Sequence, residues 1–305
     1  MSARDTVTFY LHPKLRRQAE NGNQNFIAKV SEVLEGAGLK VAFDSDDQAA
    51  RLRAMARLGR SLFLMQPPVN ARGLTFRKTY LYPFWHIEKE AERWEWPVAK
   101  TGFDPDLVDA RKAANFYRFW RNRLFEDAPT EARRDGFVFV PLQGRLLEQR
   151  SFQHASPIAM LESVLEHDGR RQVAVTLHPN ETYTSQEESA LAALSEKYPR
   201  LLVLKSGMTR YLQNCDYVVT QNSSVGFMGL FFGKPLVLFG KTDFHHIALN
   251  VGEMGAAEAI AAAPHHEPDY AAYLFWFLQM QAINAGRPEV KDRIRDVLRG
   301  HGWPV

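Results

Sequence analysis

Residues 215–240 read CDYVVTQNSSVGFMGLFFGKPLVLFG. Tyr217 to Thr220 (YVVT) is a short apolar run, as a strand buried on both faces would be. Asn222, Ser223 and Ser224 follow, residue types that cap helix starts. Val225 to Phe232 continues as a helix, and Gly233-Lys234 leads into a second apolar strand, Pro235 to Phe239 (PLVLF). Strand, helix and strand in this order predict a parallel βαβ unit.

The same alternation extends upstream. Phe137 to Pro141 (FVFVP) is fully apolar, a helix is expected from Pro157 to His167, and Val173 to Leu177 (VAVTL) ends at His178-Pro179. Ser185 to Tyr198 reads as a helix, Leu201 to Leu204 as a strand and Arg210 to Asn214 as a short helix. The first part of the chain repeats the theme. Thr6 to Leu11 (TVTFYL) is a strand, and His12 to Asn25 a polar loop. Phe26, Val30, Val33 and Leu34 recur at helical spacing before Gly36 and Gly38. Leu39 to Phe43 and Ser61 to Met65 are strands flanking a helix with Leu52, Met55 and Leu58. Residues 70–130 are less regular, with a short aromatic strand or loop over Tyr80 to Ile87 and a helix over Asp109 to Phe125. Ala128 to Gly136 reads as a linker. Helices over Tyr270 to Ile283 and Val290 to Arg299 end the chain. The expected fold class is α/β, with two Rossmann-like doubly wound domains, residues 1–130 and 131–305, facing a cleft.

Composition narrows the function. The chain has 305 residues, 45% of them hydrophobic and 24% charged, enough for two packed domains. Cys215 is the single cysteine, which excludes a disulfide framework and a cysteine-based zinc site. No stretch of 18 apolar residues occurs and MSARDTVTFYLHP lacks the apolar core of a signal peptide, so a soluble, cytoplasmic protein is expected. Residues 1–134 carry 23 basic and 17 acidic residues, against 15 and 18 in the remainder. That asymmetry suits an anionic partner, or is no more than a solvated surface. No RNP, zinc-finger or basic-zipper pattern is present, so nucleic acid is not the expected partner.

Open α/β sheets bind ligands beyond the carboxyl ends of their strands. Asn222-Ser223-Ser224 with Gly226 offers backbone N–H groups, hydroxyls and close approach to a phosphate, or simply caps a helix. His178, held at the sheet edge by Pro179, is placed to hydrogen-bond a phosphate or leaving group, or caps a tight turn. Glu181 is a ribose ligand or an ordinary first-turn carboxylate. The Gln143 amide reads a base edge or sugar hydroxyl, or satisfies a turn. Gly240, Asp243 and His245 lie after the last main strand, where they would touch a donor sugar. Asp243, His245 and His246 lack the helical spacing of a metal motif, so no metal is expected. The aromatic run Tyr270 to Met280 is too short to span a bilayer and reads as packing, with contact at a membrane surface as the other option.

FVFVPLQ (137–143) with HASP (154–157), LHPNE (177–181) and the 215–240 stretch together resemble the capsule polysaccharide biosynthesis and export family, whose members look like the Kdo transferases of bacterial capsule assembly. PFWHIEK (83–89) is similar too. The resemblance implies a GT-B-like fold and a glycosyltransferase, hexosyl- or Kdo-type, that uses a CMP-activated donor. It implies that residues 1–130 form the acceptor side and 131–305 the nucleotide-sugar side. His178 and Pro179 match the family's His-Pro motif, Ser223 and Ser224 its phosphate-holding serines, and Gln143 the glutamine after the first strand. Phe227-Met228-Gly229 stands where many GT-B enzymes carry a ribose-binding carboxylate. Catalysis would fall to His178 with a carboxylate from the first half, Asp46 or Glu88, with Asp44, His12 and His86 behind them. The implied partners are a nucleotide sugar and a glycan or glycolipid acceptor, with peripheral inner-membrane association left open. No cofactor is implied. The alternatives are a UDP- or CDP-donor transferase, a sugar-nucleotide epimerase, and a non-catalytic module of polysaccharide export.

Overall fold

The computed structural model of the protein describes residues 3–205 and 207–305. The chain forms two compact units, one of Met1–Thr101 with Phe277–Val305 and one of Gly102–Trp276. The sequence reading put a single boundary at 130/131; the division instead falls at 101/102, and the chain crosses back at 277.

The first unit begins with β1 (Thr6–Leu11), α1 (Pro13–Glu20), α2 (Asn25–Gly36), β2 (Lys40–Ser45), α3 (Gln48–Ala56) and β3 (Arg60–Leu64). It continues with β4 (Gly73–Lys78), β5 (Phe84–Glu88) and the short α4 (Pro97–Lys100). Helix α1 lies where the sequence suggested a loop. Its residues PKLRRQAE bury only Ala19, so periodicity gives little sign of it, but Pro13 and the His12 cap start it cleanly. Helix α2 buries Phe26, Ile27, Val30, Val33 and Leu34 along one face. Removing each such side chain from water contributes about 1.5–3 kcal/mol. Phe26 stacks on Trp85 with ring centroids 4.5 Å apart.

The second unit carries α5 (Ala110–Phe125), β6 (Phe137–Pro141), α6 (Pro157–His167), β7 (Gln172–Thr176), α7 (Ser185–Lys197), β8 (Leu201–Leu204) and α8 (Met208–Asn214). Then come β9 (Tyr217–Thr220), α9 (Ser224–Gly229), β10 (Leu236–Leu238), β11 (Leu249–Asn250), α10 (Val251–Met254), α11 (Ala256–Ala262) and α12 (Tyr270–Leu274). The helix expected over 270–283 is a single α-helical segment only to Leu274; Phe275–Gln281 is π-helical. The chain then re-enters the first unit with β12 (Ile283–Asn284) and α13 (Val290–Gly300). Ile283 pairs with Trp85, and Val290, Ile294 and Leu298 of α13 join the core around α2.

The sheet of the first unit runs β12-β5-β4-β3-β1-β2. Strands β2, β1, β3 and β4 are parallel, whereas β5 and β12 are antiparallel additions. The sheet of the second unit runs β11-β10-β9-β6-β7-β8 and is parallel throughout. Val138, Val140, Val173, Val175, Val219 and Val237 are fully buried in it, as helices on both faces require. The chain leaves β6 in one direction for β7 and β8, then crosses to the other side for β9, β10 and β11. The point of reversal lies between β6 and β9, and ligands of doubly wound sheets bind at such points.

At the opposite, amino end of this sheet, a buried ion cluster fixes the strand starts. Arg171 Nε donates to Asp216 at 2.6 Å and its Nη1 to Asp168 at 3.1 Å. Tyr217 Oη donates to Asp168 at 2.8 Å, and the Gly136 N–H to Asp216 at 2.9 Å. No helix of the described residues is long and apolar enough to cross a membrane.

Candidate functional site

Four loops emerge at the carboxyl edge of the second unit's sheet: 142–156 after β6, 177–184 after β7, 221–224 after β9 and 239–246 after β10. They carry the site candidates that the sequence singled out in this half, except Gly226, which lies on α9.

In the loop after β7, the His178 imidazole is exposed and its Nδ1 accepts from the Asn180 N–H at 3.3 Å. With Nδ1 accepting, the neutral ring carries its proton on Nε2 and presents a donor there. The backbone holds this pose: the His178 N–H donates to Tyr183 Oη at 2.8 Å and the Glu181 N–H to His178 O at 3.2 Å. Pro179 and Glu181 are exposed. Glu181 also lies over Gly144, where an added Cβ would run into its carboxylate, so the loops after β6 and β7 touch.

In the loop after β9, Ser223 caps α9, its Oγ accepting from the Val225 N–H at 3.2 Å. The Ser223 hydroxyl proton and the exposed Ser224 hydroxyl are the donors this turn can offer outward. Helix α9 has only six residues, so its dipole is small beside those of longer helices. Asn222 is 7% exposed and donates from Nδ2 to Lys241 O at 3.3 Å. Gly226 has a packing reason: a Cβ there would sit 2.9 Å from Thr220 Cγ2 and 3.0 Å from Leu236 Cδ1. Phe227 is fully buried, in edge contact with Phe231 and Phe244.

The loop after β10 packs inward. A Cβ at Gly240 would lie 3.1 Å from both the Gln221 and Phe152 carbonyl oxygens. Asp243 is fully buried and accepts from Thr242 Oγ1 at 3.1 Å. His245 Nδ1 donates to the Thr242 carbonyl at 3.2 Å. Its ring stacks on His246 at 4.3 Å, and His246 Nδ1 meets Tyr273 Oη at 3.2 Å. Among the described residues no group of three or more His, Cys, Asp or Glu side chains is placed to hold a metal ion. Cys215 is fully buried and its thiol is pushed up to about 12, chiefly by burial, the behaviour of a core thiol.

Several residues of this edge were not marked by the sequence. Gln221 is 1% exposed; its Nε2 donates to Ala155 O at 2.9 Å, which leaves Oε1 buried without a hydrogen-bond partner. Gln143 Oε1, Gln153 Nε2 and the Arg150 Nε and Nη2 are in the same condition. Leaving such an atom unpaired costs about 1–3 kcal/mol, so each is a point where a bound water or ligand would stabilise the loop. The only sequence sign was the density of Gln and Arg in residues 143–154.

Glu187 ties this edge together. It closes a capping box with Thr184 and also accepts the Leu146 N–H at 2.5 Å, joining α7 to the loop after β6. The Thr184 N–H, ahead of the Leu146 N–H, holds its carboxyl below the usual range. Glu187→Ala should cost about 1–2 kcal/mol in thermal or urea unfolding. The loss should shrink as the pH falls through the carboxylate range, because the folded-state pKa is the lower one.

The carboxylates of the first unit differ in setting. Asp46 pairs with Arg51 Nε at 2.7 Å and lines a pocket of about 370 Å³ with Asp47, Gln48, Leu52, Met55 and Gln66. This pocket lies past the carboxyl ends of β2 and β3. Asp44 accepts from Arg57 at 3.1 Å, and His12 caps α1. Glu88 is 8% exposed, 3.2 Å from His86 Nδ1 and 3.9 Å from His301 Nε2.

A model of the capsule polysaccharide biosynthesis protein family matches residues 108–286. No curated protein matches the chain. Among solved structures, the fold is similar to the β-Kdo 2,7 transferase of Thermosulfurimonas dismutans KpsC, with a TM-score of 0.50 and 14% identity over 97% of this chain and 99% of that one. The β-Kdo 2,4 transferase of the same protein aligns with a TM-score of 0.46 and 9% identity over 88% of each chain. The UDP-GlcNAc 2-epimerase of Methanocaldococcus jannaschii gives 0.38 and 8% over 97% and 99%. At such identity the first of these likenesses speaks for the fold alone, two α/β units of GT-B type.

Proposed function

Because the chain belongs to the capsule polysaccharide biosynthesis protein family, we propose that it is a glycosyltransferase that moves Kdo or a related acidic sugar from a CMP-activated donor to a glycan or glycolipid acceptor. The observation that supports this reading is that an exposed histidine after β7, two serine hydroxyls after β9 and several unpartnered buried polar atoms all lie at the carboxyl edge of one parallel sheet, on either side of β6.

In this reading the nucleotide lies across the loops after β6, β7 and β9. Gln143 faces the base or a sugar hydroxyl, and Glu181 takes the ribose, since Phe227 is buried where other GT-B enzymes carry a carboxylate. His178 Nε2, Ser223 and Ser224 donate to the phosphate, with Asn222 and Gly226 shaping the turn. Charge builds on that phosphate as the glycosidic bond to the sugar breaks. Donors already aimed at it lower the barrier without reorganising. Gly240, Asp243 and His245 form the floor toward the donor sugar. The candidate bases for the acceptor hydroxyl proton are Asp46 and Glu88. Asp46 suits this better than Glu88, for it lines an open pocket while Glu88 is enclosed with His86 and His301. Asp46→Asn should lower kcat by about 10²–10⁴-fold and leave CMP affinity unchanged; a parallel fall in CMP affinity would assign Asp46 another role.

Incubation of the protein with CMP-Kdo and a lipid or glycan extract, followed by measurement of released CMP and labelled product, tests the reading. Release from UDP- or CDP-sugars alone would move the donor to those nucleotides. Normal folding with no turnover and no nucleotide affinity would leave a binding module of polysaccharide export. The basic excess of residues 1–134 is consistent with an anionic acceptor and with peripheral contact at the cytoplasmic face of the inner membrane.

A further inference from the structure

The segment between β6 and α6 is pinned at its far end to the strand edge. Gln153 forms an antiparallel bridge with Gly240, the His154 N–H donates to Phe239 O at 2.7 Å, and the Lys241 N–H to Phe152 O at 2.8 Å. The turn 150–153 is closed around the Gln153 side chain, which is 4% exposed. Its Oε1 accepts the Arg150 N–H at 2.7 Å, and the Gln153 N–H donates back to Arg150 O at 2.9 Å. Gln149 Nε2 adds a bond to Gln153 O at 3.0 Å. Such a turn is far more ordered than a surface loop needs to be.

What it holds is a guanidinium. Arg150 lies over its neighbour Phe152, 4.8 Å from the ring centroid. Its Nε and Nη2 are buried and have no hydrogen-bond partner among the described residues. Other half-buried guanidiniums of this unit are committed: Arg171 to Asp168 and Asp216, Arg200 to the carbonyls of Arg171 and Leu165. In the same loop, Arg145 pairs with Glu148 at 3.2 Å. Burial, then Arg145, lowers the pKa of Arg150, while Glu148 and Glu181 offset this at a distance without an ion pair. A guanidinium stays protonated even so. The fold therefore keeps a cation partly desolvated, with no ion-pair partner among the described residues, which costs stability unless an anion arrives.

The place of this cation is set by close backbone packing. A Cβ on Gly240 would meet both the Phe152 and the Gln221 carbonyls, so the 150–153 turn and the strand end that leads to Asn222, Ser223 and Ser224 both pack against Gly240. We infer that Arg150 is the fixed cation of the donor site, its charge drawing the nucleotide phosphate to this edge while the Gln153 turn holds it in place. The inference rests on the nucleotide reading above and adds a residue to it. It supplies what the turn at Ser223 lacks, since the dipole of a six-residue helix and two hydroxyls give no full positive charge. Arg150 is thus a residue of binding; nothing in this role requires it to pass a proton.

The test compares wild type with Arg150→Gln, Arg150→Lys and the neighbouring Arg145→Gln, using titrations with CMP, with cytidine and with inorganic pyrophosphate. Arg150→Gln should weaken CMP by about 10- to 100-fold, the loss of a partly desolvated positive charge beside the phosphate, and leave cytidine binding unchanged. Arg150→Lys should fall between, having the charge without the planar guanidinium, and Arg145→Gln should bind CMP as wild type does. Pyrophosphate should raise the melting temperature of wild type and not that of Arg150→Gln, a readout that needs no nucleotide specificity. Without ligand, Arg150→Gln should melt at or above the wild-type temperature, since it removes an unpaired cation. Equal CMP affinity in wild type and Arg150→Gln overturns this role, as does an equal loss for CMP and cytidine. Wild type that binds no nucleotide yet responds to pyrophosphate through Arg150 would sink the nucleotide reading and keep the anion site. Wild type that responds to neither sinks both.

Discussion

Alanine at His178 should reduce sugar transfer by about 10²–10³-fold, the loss seen when one preorganised donor to a developing charge is removed. Alanine at both Ser223 and Ser224 should have an effect of similar size. The three changes together should cost less than the product of the separate losses, because they act on one phosphate. The reason lies in how the donors are held. His178 Nδ1 is occupied by the Asn180 N–H and its backbone by Tyr183, so Nε2–H is aimed before substrate arrives. Ser223 Oγ is committed as acceptor to the Val225 N–H, so its own proton is free to be given. Asparagine at 178 should recover part of the rate if the role is hydrogen-bond donation. Steady-state CMP release, with circular dichroism to confirm folding, measures all of this; wild-type rates in the alanine variants would remove these turns from the chemistry.

Arg171→Ala should destabilise the second unit by about 3 kcal/mol. It strips the counter-charge from Asp168 and Asp216, which are 6% exposed each, and breaking a buried pair from one side is the costly way to break it. Burial raises the Asp168 pKa, but hydrogen bonds from Tyr217, the Arg170 and Arg171 N–H groups and the Arg171 side chain lower it further, and the net is a depressed value. A depressed folded-state pKa gives stability that is present above the ordinary carboxylate pKa and is lost as the pH falls through and below it. Urea midpoints of wild type should therefore drop between about pH 5 and pH 2, and those of Arg171→Ala should drop less. A midpoint unmoved by the substitution at neutral pH would mean that the cluster is not a fastener of this sheet. Because it sits at the amino end of the strands, away from the loops after β6, β7 and β9, the variant should bind CMP as wild type does wherever it is folded.

Much of the second unit was legible in its sequence. Apolar runs such as FVFVP and YVVT give strands at the residues expected, and Ser156-Pro157 starts α6 as capping chemistry predicts. The first unit was harder to read. Its strand β4 (GLTFRK) begins with glycine and ends in charge, so it lacks a strand signature, yet it pairs between β3 and β5. Two-residue β12 owes its existence to Trp85 and Phe84, some two hundred positions earlier in the chain, and no local pattern announces such a partner. For that reason the return of the chain to the first unit could not be placed.

The candidate site divides in the same way. His178, Ser223, Ser224 and Gln143 stand just past strand ends, the position expected of them from the sequence and where the topology rule puts ligands. Gly226 and Gly240 looked like residues for ligand approach, but each also has a close protein contact that a Cβ would violate. Arg150, Gln153 and Gln221 could not be found at all from sequence, because what marks them is burial without a partner, which only packing reveals.

The most direct test is calorimetric titration of the wild-type protein with CMP, CDP and UDP. Saturable 1:1 binding of CMP, stronger than that of UDP and abolished by His178→Ala with Ser223→Ala and Ser224→Ala, is the predicted result. Absence of heat with any of the three nucleotides, from protein shown to be folded, would contradict it.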